Sequence, residues 1–283
     1  MWDFKGSIVM KLWRVPVLLS AAVICSCSSI TEDRNQCPCW YTIDFTEVDR
    51  SVQNLHFWIY DDDGVLMCRD SLYSGENGKY KVELGRGIAH CYVWGNISHS
   101  TAIYDKPASD SYFVKADSCS SDPLYHCSKV MDTDGEDGYH AVILHKEHAR
   151  VEFVIKGNIK YKEELQLELD MPENGRFVNG DFIRESGSIY AYPQIMDNNN
   201  HIFKFTIMRQ SLLHGIIARI TAVVEGKRVL VKEFPLGEWL ILSGYDMSSR
   251  DLEDIVVELD MSIGALCVRC AGWESVLSVK IEI

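Results

Sequence analysis

The chain has 283 residues, of which 47% are hydrophobic and 24% are charged. This length allows roughly two domains with sizeable cores, and the composition excludes a disordered chain. There are 41 Asp and Glu residues against 28 Lys and Arg residues, which gives a formal net charge of −13. A nucleic-acid partner requires clustered basic residues that neutralise phosphates. The sequence contains no such cluster, so we expect no nucleic-acid partner.

The N-terminal segment is typical of a secretory signal peptide. Two basic residues within 11–14 precede an apolar stretch over 15–24. That stretch is too short for a membrane-spanning helix, which needs about 20 residues, and it fits the core of a signal peptide. We therefore predict that residues 1–26 are removed. The translation start stays open between Met1 and Met10, because the residues before Met10 fit a signal peptide poorly.

Residues 24–27 resemble the bacterial lipobox, in which an aliphatic residue and then a small residue precede the cysteine that is acylated. We predict lipidation of Cys27, with palmitate among its acyl chains, and a tether over 27–36 that holds the protein on the outer membrane. Cys25 is the weaker candidate because the bulky Ile24 directly precedes it. The alternative is an ordinary cleaved signal peptide with an incidental cysteine.

After the tether, apolar and polar residues alternate with the period of two that half-buried strands have. The clearest examples are 41–45 and 165–169. One segment, 248–254, suggests a helix because Ser248 and Asp251 have the spacing of a short capping box. Many short strands with turns between them predict an all-β fold of two β-sandwiches. The predicted strands are 41–45, 55–60, 65–68, 80–84, 90–94, 112–114, 141–144, 150–155, 165–169, 202–207, 216–224, 229–234, 255–259 and 277–283.

An acidic segment separates the two predicted sandwiches. Residues 131–139 contain glycine and have no aliphatic residue after Met131, so we predict a surface loop near a domain boundary. The expected domains are therefore an N-terminal sandwich over 37–138 and a C-terminal sandwich over 139–283.

The sequence lacks the motifs of common catalytic sites. It has no G-x-S-x-G, H-E-x-x-H, Walker or G-x-G-x-x-G motif, so we expect neither an enzyme nor a cofactor. His145 and His148 lie three residues apart and would face opposite sides of a strand. The aspartates within 131–139 fit a solvated turn better than a calcium loop. We therefore predict no metal site.

Ten cysteines, less Cys25 and the predicted lipid carrier, leave eight for the fold. Their pairing cannot be read from the sequence, because eight cysteines allow many connectivities. Cys68 and Cys91 are one candidate disulfide pair, which would link neighbouring strands. Cys119 and Cys127 are another, which would close a short loop. Buried free thiols are the alternative.

Short motifs follow one another in a defined order along the mature chain. They are Cys37-Pro38, 55–66, 82–96, Leu124-Tyr-His126, 142–157, 234–240, 251–255 and Gly272-Trp273. In this order they resemble the FimB-like fimbrial anchor and assembly lipoproteins of Bacteroidales, over essentially all of the mature chain. The pair Cys267 and Cys270, close to the last motif, departs from the family pattern.

This resemblance implies two tandem transthyretin-like β-sandwiches with Greek-key topology, after a lipoprotein signal peptide. It also implies a role as a fimbrial anchor at the surface of the outer membrane, which holds the base of a fimbrium and limits its length. The implied partner is a fimbrillin, either a major or a minor subunit. Fimbrial subunits of this kind assemble by strand exchange, in which one subunit's strand completes another's open sheet.

The C-terminal segment is the candidate partner strand. Its apolar residues alternate with polar ones to the end of the chain and are Leu277, Val279, Ile281 and Ile283. Pairing of this strand within its own domain is the alternative that the sequence leaves open.

The aromatic content suggests an alternative function. Seven tryptophans and 13 tyrosines could supply the platform of a glycan-binding surface lipoprotein. Such residues more often fill sandwich cores, and Trp58, Trp94 and Trp239 lie in apolar strand contexts. Aromatic residues exposed in one concave row would favour glycan binding.

Overall fold

The computed structural model describes residues 37–73, 78–106, 111–116, 120–157, 165–197, 200–270 and 277–280. This part of the chain has 22 β-strands and one short helix, α1 (Leu236–Leu242). The all-β fold expected from the alternation is therefore confirmed. The strands are β1 (Cys39–Asp44), β2 (Asn54–Asp61), β3 (Leu66–Tyr73), β4 (Lys79–Leu84), β5 (Ile88–Gly95), β6 (Thr101–Lys106), β7 (Ser111–Ala116), β8 (Tyr125–Asp132), β9 (Asp137–Ala141), β10 (His145–Lys146), β11 (His148–Lys156), β12 (Leu165–Met171), β13 (Gly175–Phe177), β14 (Phe182–Ile183), β15 (Gly187–Ala191), β16 (Ile195–Asp197), β17 (Asn200–Met208), β18 (Ile217–Val224), β19 (Lys227–Phe234), β20 (Ile255–Asp260), β21 (Ala265–Cys270) and β22 (Leu277–Lys280).

The first sandwich packs two sheets face to face. Sheet A has the strand order β4-β1-β9, and sheet B has the order β10-β8-β5-β2-β3. Tyr41 and Ile43 of β1 are buried, as is Phe45 just after it, because alternate residues of a strand point to the same face. The Phe45 ring packs on Phe57 of β2, with 5.7 Å between the ring centroids. The alternation predicted over 41–45 therefore forms one side of this core.

The second sandwich packs a six-stranded sheet on a four-stranded one. Sheet D has the order β16-β17-β11-β20-β21-β22, and sheet E has the order β15-β12-β18-β19. Leu165, Leu167 and Leu169 of β12 are buried, which confirms the strand predicted there. They share a core with Phe153 of β11 and Phe203 of β17. Each fully buried Leu or Phe side chain contributes about 1.5–3 kcal/mol, so this core is a main source of stability.

A fifth sheet joins the two halves of the chain. Sheet C has the order β14-β13-β7-β6, so two of its strands come from each half. It covers the face of sheet B that points away from sheet A, where Trp58 and Trp94 are buried. The indole Nε1 of Trp94 donates a hydrogen bond to the carbonyl of Val178, at 2.9 Å. Because sheet B is covered on both faces, β2 and β5 have near-continuous apolar runs.

The boundary between the sandwiches lies later in the chain than the predicted position between 138 and 139. β9 pairs in parallel with β1, and β10 pairs with β8, so the first sandwich extends to Lys146. Only the turn 133–136 of the predicted acidic loop lies outside strands. Gly138 lets β9 lie beside β1, because a Cβ at this position would overlap the ring of Tyr41. Patterning misses β9 because its five residues have no apolar alternation.

The helix predicted at 248–254 is wrong, and α1 forms earlier in the chain instead. The Asp246 carboxylate accepts hydrogen bonds from the backbone N–H and the hydroxyl of Ser248, at 2.8 and 2.6 Å, which makes a turn. The Arg209 guanidinium donates a hydrogen bond to the carbonyl of Ser249, at 2.7 Å. A helix over this segment would need that carbonyl for its own backbone hydrogen bonds. A side chain from another part of the chain therefore decides the local backbone.

The remaining differences from the predicted strands are one connection and a set of added strands. Residues 142–144, which belong to a predicted strand, link β9 to β10 outside any strand. Besides β9, the structure adds β6, β8, β10, β21 and the short strands β13, β14, β15 and β16, which the alternation does not indicate. Some of these strands pair with strands far along the chain, such as β8 with β5 and β13 with β7, and such pairing leaves little trace in the local pattern.

Candidate functional site

The predicted lipid carrier, Cys27, lies outside the described residues, together with the whole segment 1–36. Lipidation, removal of the signal peptide and the tether therefore stay predictions. The helix α1 has seven residues, and none of the described ranges contains a helix long and apolar enough to cross a bilayer.

The described part of the C-terminal candidate strand pairs inside its own domain. β22 runs antiparallel to β21, with Leu277 opposite Val268. It also contains Val279 and is the last strand in the order of sheet D. Ile281 and Ile283 lie beyond the described residues. The strand is therefore found at a sheet edge and paired internally, which is the alternative that the sequence leaves open.

Three of the candidate disulfide cysteines are free thiols in the structure. Cys68 on β3 and Cys91 on β5 both lie opposite Ile59 of β2, so a whole strand separates them. Neighbouring strands are about 4.8 Å apart, which puts these Cα atoms about 10 Å apart and beyond the reach of a disulfide bond. Burial raises the pKa of the Cys91 thiol, which packs as a small apolar group. Cys127 is also free, and its predicted partner Cys119 lies outside the described residues.

The two histidines within 145–148 have different environments. His148 is fully buried, and its Nδ1 donates to the carbonyl of Leu124 at 2.8 Å. Burial lowers the pKa of His148 to about 4. His145 is half-buried beside Asp251, with 3.4 Å between Nδ1 and Oδ2. Across the described ranges, no three His, Cys, Asp or Glu side chains come together as metal ligands would.

The sequence motifs do not indicate the charge cluster that lies at the crossing between the sandwiches. This cluster consists of Glu147, Arg176 and Arg209, whose side chains are at most 10% exposed. One Glu147 oxygen accepts from Arg176 Nη1 at 2.9 Å and from Arg209 Nε at 2.8 Å. Arg176 belongs to sheet C and Arg209 follows β17 of sheet D. The charge cluster therefore connects the two sandwiches and the sheet that joins them.

Within the part of the chain that the structure describes, strand β19 forms an exposed edge of sheet E. It is the last strand in the order of that sheet, and its Val229 and Leu230 are 43% and 54% exposed. An edge strand offers backbone N–H and C=O groups to an incoming strand. Lys227 and Arg228 are exposed beside these apolar residues, and such charges protect natural edges from unspecific pairing. β19 is thus a surface on which a specific partner strand could pair.

A cleft rich in aromatic residues opens between sheets B and C, with a volume of about 310 Å³. We call it the aromatic cleft. It is lined by residues from the end of β2 and the following hairpin, from β5 and β7, and from the end of β13 with the turn after it. The cleft therefore exists only because sheet C joins the two halves of the chain. Its lining residues are Tyr60, Asp61, Asp62, Gly64, His90, Tyr92, Tyr112, Phe177, Val178 and Asn179.

Tyr92 contacts two other rings of the aromatic cleft. The His90 ring stacks beside it, with 6.4 Å between centroids and 16° between planes. Tyr60 packs on it with the centroids 5.9 Å apart. Burial raises the pKa of Tyr92, so its hydroxyl stays protonated at neutral pH. Asp62 lies 3.4 Å from His90 Nε2, and its side chain is 76% exposed. The aromatic cleft thus combines a ring surface with an accessible carboxylate.

Comparison with known proteins identifies a family. The family model described as "Fimbrillin-A associated anchor proteins Mfa1 and Mfa2" matches residues 35–209, which is more than half of the 283 residues. The chain belongs to this anchor family. The resemblance to fimbrial anchor proteins that the ordered motifs carry is thereby confirmed. A search of curated proteins finds no match.

Several solved structures have the same fold as this chain. The fimbrial anchor protein Mfa2 from Porphyromonas gingivalis superposes with a TM-score of 0.65 at 15% identity, over 84% of this chain and 98% of that one. A candidate polysaccharide-binding protein from Bacteroides thetaiotaomicron gives 0.64 at 15% identity, over 86% and 98%. A candidate adhesin from the same species gives 0.60 at 16% identity, over 88% and 100%. At these identities the likeness shows the fold, and it confirms the β-sandwich architecture.

Proposed function

We propose that the protein is a lipid-anchored protein of the outer-membrane surface that anchors the base of a fimbrium and limits its length. The observation that carries this proposal is membership of the fimbrial anchor family over residues 35–209. The lipobox-like segment before Cys27 supports the lipid anchor, because acyl chains hold a protein on a membrane with about 0.8 kcal/mol per buried CH₂. The proposed partner is a fimbrillin, and the protein acts by binding, without catalysis or a cofactor.

Strand complementation is the proposed contact with the fimbrillin. Among the described residues, β22 is the last strand in the order of sheet D and pairs with β21. A strand at the end of a sheet has one partner to leave, so β22 could complete an open sheet of the first fimbrial subunit. The alternating residues that would enter that sheet are Leu277, Val279, Ile281 and Ile283. The exposed edge of β19 is the corresponding place where this chain could receive a strand.

Replacing the lipid carrier tests the anchoring function. Cells would express Cys27→Ala, and the fimbriae would be quantified on the cells and in the medium by immunoblotting and electron microscopy. We expect fimbriae to be shed, because the anchor no longer reaches the membrane. Cys25→Ala is the matched control, since it removes a neighbouring cysteine and leaves the predicted lipid carrier in place.

The two variants also separate the alternatives for the N-terminus. Shedding with Cys27→Ala alone supports both the lipid site and the anchoring role. If fimbriae stay attached and normal in length while the Cys27→Ala protein has left the membrane, the anchoring function is wrong. If the Cys27→Ala protein stays in the membrane, the predicted lipid site is wrong.

Glycan binding is a second function, which the aromatic cleft favours. Tyr104, Phe113 and Phe177 also form a row of rings across sheet C, with centroids 5.2 and 6.4 Å apart. Phe177 continues this row into the aromatic cleft. One structural relative is described as a candidate polysaccharide-binding protein, which supports this second function. Anchoring and glycan binding use different parts of the chain and are compatible.

A further inference from the structure

The aromatic cleft has the composition of a site for an uncharged, hydroxyl-rich ligand. Among the described residues that line it, two are aspartates and none is Lys or Arg. The nearby Arg69 guanidinium lies over the ring of Tyr112, 4.4 Å from its centroid, and is not part of the lining. An anionic ligand would therefore meet the carboxylates of the lining directly, which is unfavourable in a partly desolvated site. A neutral ligand that donates hydrogen bonds to the carboxylates suits this lining better.

Half of the lining consists of rings, which supply the apolar contact. Tyr60, Tyr92, Tyr112 and Phe177 are aromatic, and His90 adds a flat imidazole. The C–H groups on one face of a sugar ring are apolar and pack on such rings, while the hydroxyl groups at its edge point to polar side chains. Among these rings, Tyr92 is half-buried and held by neighbours on two sides, so its position is set before a ligand arrives.

The polar groups of the lining come from both sheets. Asp61 and Asp62 belong to the end of β2 and its hairpin, whereas Asn179 follows β13. The Asp61 carboxylate is fixed by the backbone N–H of Val65, at 2.7 Å. The Asn179 amide nitrogen donates to Asp181 at 2.7 Å, which orients that side chain. Hydroxyl groups of one ligand could thus be bound from both sheets at once.

The size of the aromatic cleft limits the ligand further. Ligand sites commonly have about 300–1,000 Å³, and the observed 310 Å³ is at the lower end of that range. This volume fits the end of an oligosaccharide and is larger than the close cage that surrounds a single quaternary ammonium group. We propose that the aromatic cleft binds a neutral saccharide, whose ring stacks on Tyr92 and whose hydroxyl groups bind Asp62 and Asn179.

This inference rests on glycan binding, the second function proposed above, and adds to it the site and the class of sugar. It is independent of the anchoring role. The test uses the full-length lipoprotein in micelles of a detergent without sugar groups. An array of neutral oligosaccharides that contain glucose, galactose, mannose or N-acetylglucosamine is probed first, and calorimetric titration then measures the affinity for the sugars that bind.

Variants of the aromatic cleft locate the binding site. Tyr92→Ala removes the stacking ring, and Asp62→Ala removes an exposed carboxylate whose loss should leave the fold intact. We expect each to weaken binding by at least about tenfold, because the first removes the ring on which the sugar stacks and the second removes a charged hydrogen-bond acceptor. Tyr92→Phe keeps the ring and should retain binding. Tyr192→Ala is the matched control, since Tyr192 is an exposed tyrosine of the second sandwich.

The outcomes distinguish the site from the function. Loss of binding with Tyr92→Ala and Asp62→Ala, but not with Tyr92→Phe or Tyr192→Ala, supports the proposal. Sugar binding that persists in both alanine variants overturns the site and leaves glycan binding intact. An array without any bound sugar overturns both. Preferential binding of charged sugars, or of choline in a parallel titration, overturns the assigned ligand class.

Discussion

Replacing Glu147 by glutamine removes the negative charge of the charge cluster and changes little else in shape. The carboxylate of Glu147 is the acceptor shared by Arg176 and Arg209, at 2.9 and 2.8 Å. Burial lowers the pKa of Arg176, and Glu147 opposes this shift, so the cation depends on its partner. The amide oxygen of a glutamine can occupy the position of this shared oxygen, but it carries no negative charge. Two buried cations would then lose the carboxylate that they share.

The expected loss of stability is large compared with that of a surface pair. Removing one partner of a buried ion pair costs about 3–5 kcal/mol, whereas an exposed pair contributes about 0–1 kcal/mol. The protein itself contains the control. Glu152 pairs with Lys204 at 3.0 Å, and these side chains are 40% and 48% exposed. We therefore expect Glu147→Gln to lower the free energy of unfolding by about 3–5 kcal/mol and Glu152→Gln by less than about 1 kcal/mol.

Urea unfolding, followed by tryptophan fluorescence and by far-UV circular dichroism, measures both variants. Coincident transitions of the two signals would show that the sandwiches and sheet C unfold together, as the connecting charge cluster suggests. If Glu147→Gln costs no more than Glu152→Gln, the charge cluster does not hold the molecule together, and the reasoning from burial is refuted. A loss confined to one of two separate transitions would refute the connecting role alone.

Two further substitutions test the backbone and the buried histidine. Alanine for glycine normally stabilises a helix by about 1 kcal/mol, but Gly237→Ala should destabilise α1 by about 1–3 kcal/mol, because the new Cβ would overlap the carbonyl oxygen of Leu213. Thermal unfolding of Gly237→Ala measures this loss, with Gly85→Ala as the control because a new Cβ has room at that position. A higher melting temperature for Gly237→Ala would contradict the prediction. Burial lowers the pKa of His148 from 6.5 to about 4. Between these two pH values the unfolded chain binds more protons than the folded chain. The free energy of unfolding should therefore fall as the pH drops from about 6.5 toward 4. Urea midpoints at pH 7 and pH 5 should therefore differ less in His148→Gln, and an unchanged difference would exclude His148 as the cause.

Local alternation accounts for the strands that the sequence predicts well. In 41–45 and 165–169, every second residue is apolar, and these residues are buried in the two sandwich cores. The period of two needs no knowledge of the partner strand, because the strand's own geometry sends alternate side chains to the same face. The ordered motifs that indicated the anchor family are local in the same sense.

The helix and the domain boundary show where local reasoning ends. At 248–254, Asp246 and the distant Arg209 take the backbone groups that a helix would use. At 137–141, the pairing with β1 makes a strand from residues without apolar alternation. In both places the deciding hydrogen bonds come from residues outside the segment, so no pattern within it could have predicted the result.

The candidate sites differ in the same way. Cys27 is predicted from adjacent residues alone, since the lipobox is a continuous segment. The aromatic cleft requires Tyr92 from the first half of the chain and Phe177 from the second, which sheet C brings together. The sequence supplied the aromatic content and could not indicate which rings would share a cleft.

Local patterns were enough to predict the all-β class, most of the strands and their buried faces, and the resemblance to fimbrial anchors, because these depend on residues close together in the chain. The fifth sheet, the charge cluster, the internal pairing of β22 and the aromatic cleft could be found only in the folded chain. Each of these depends on contacts between distant segments, such as the hydrogen bond from the Trp94 indole to the carbonyl of Val178, 84 residues later. Such contacts form when sheets bury their apolar faces together, and that global packing is not encoded in any local period.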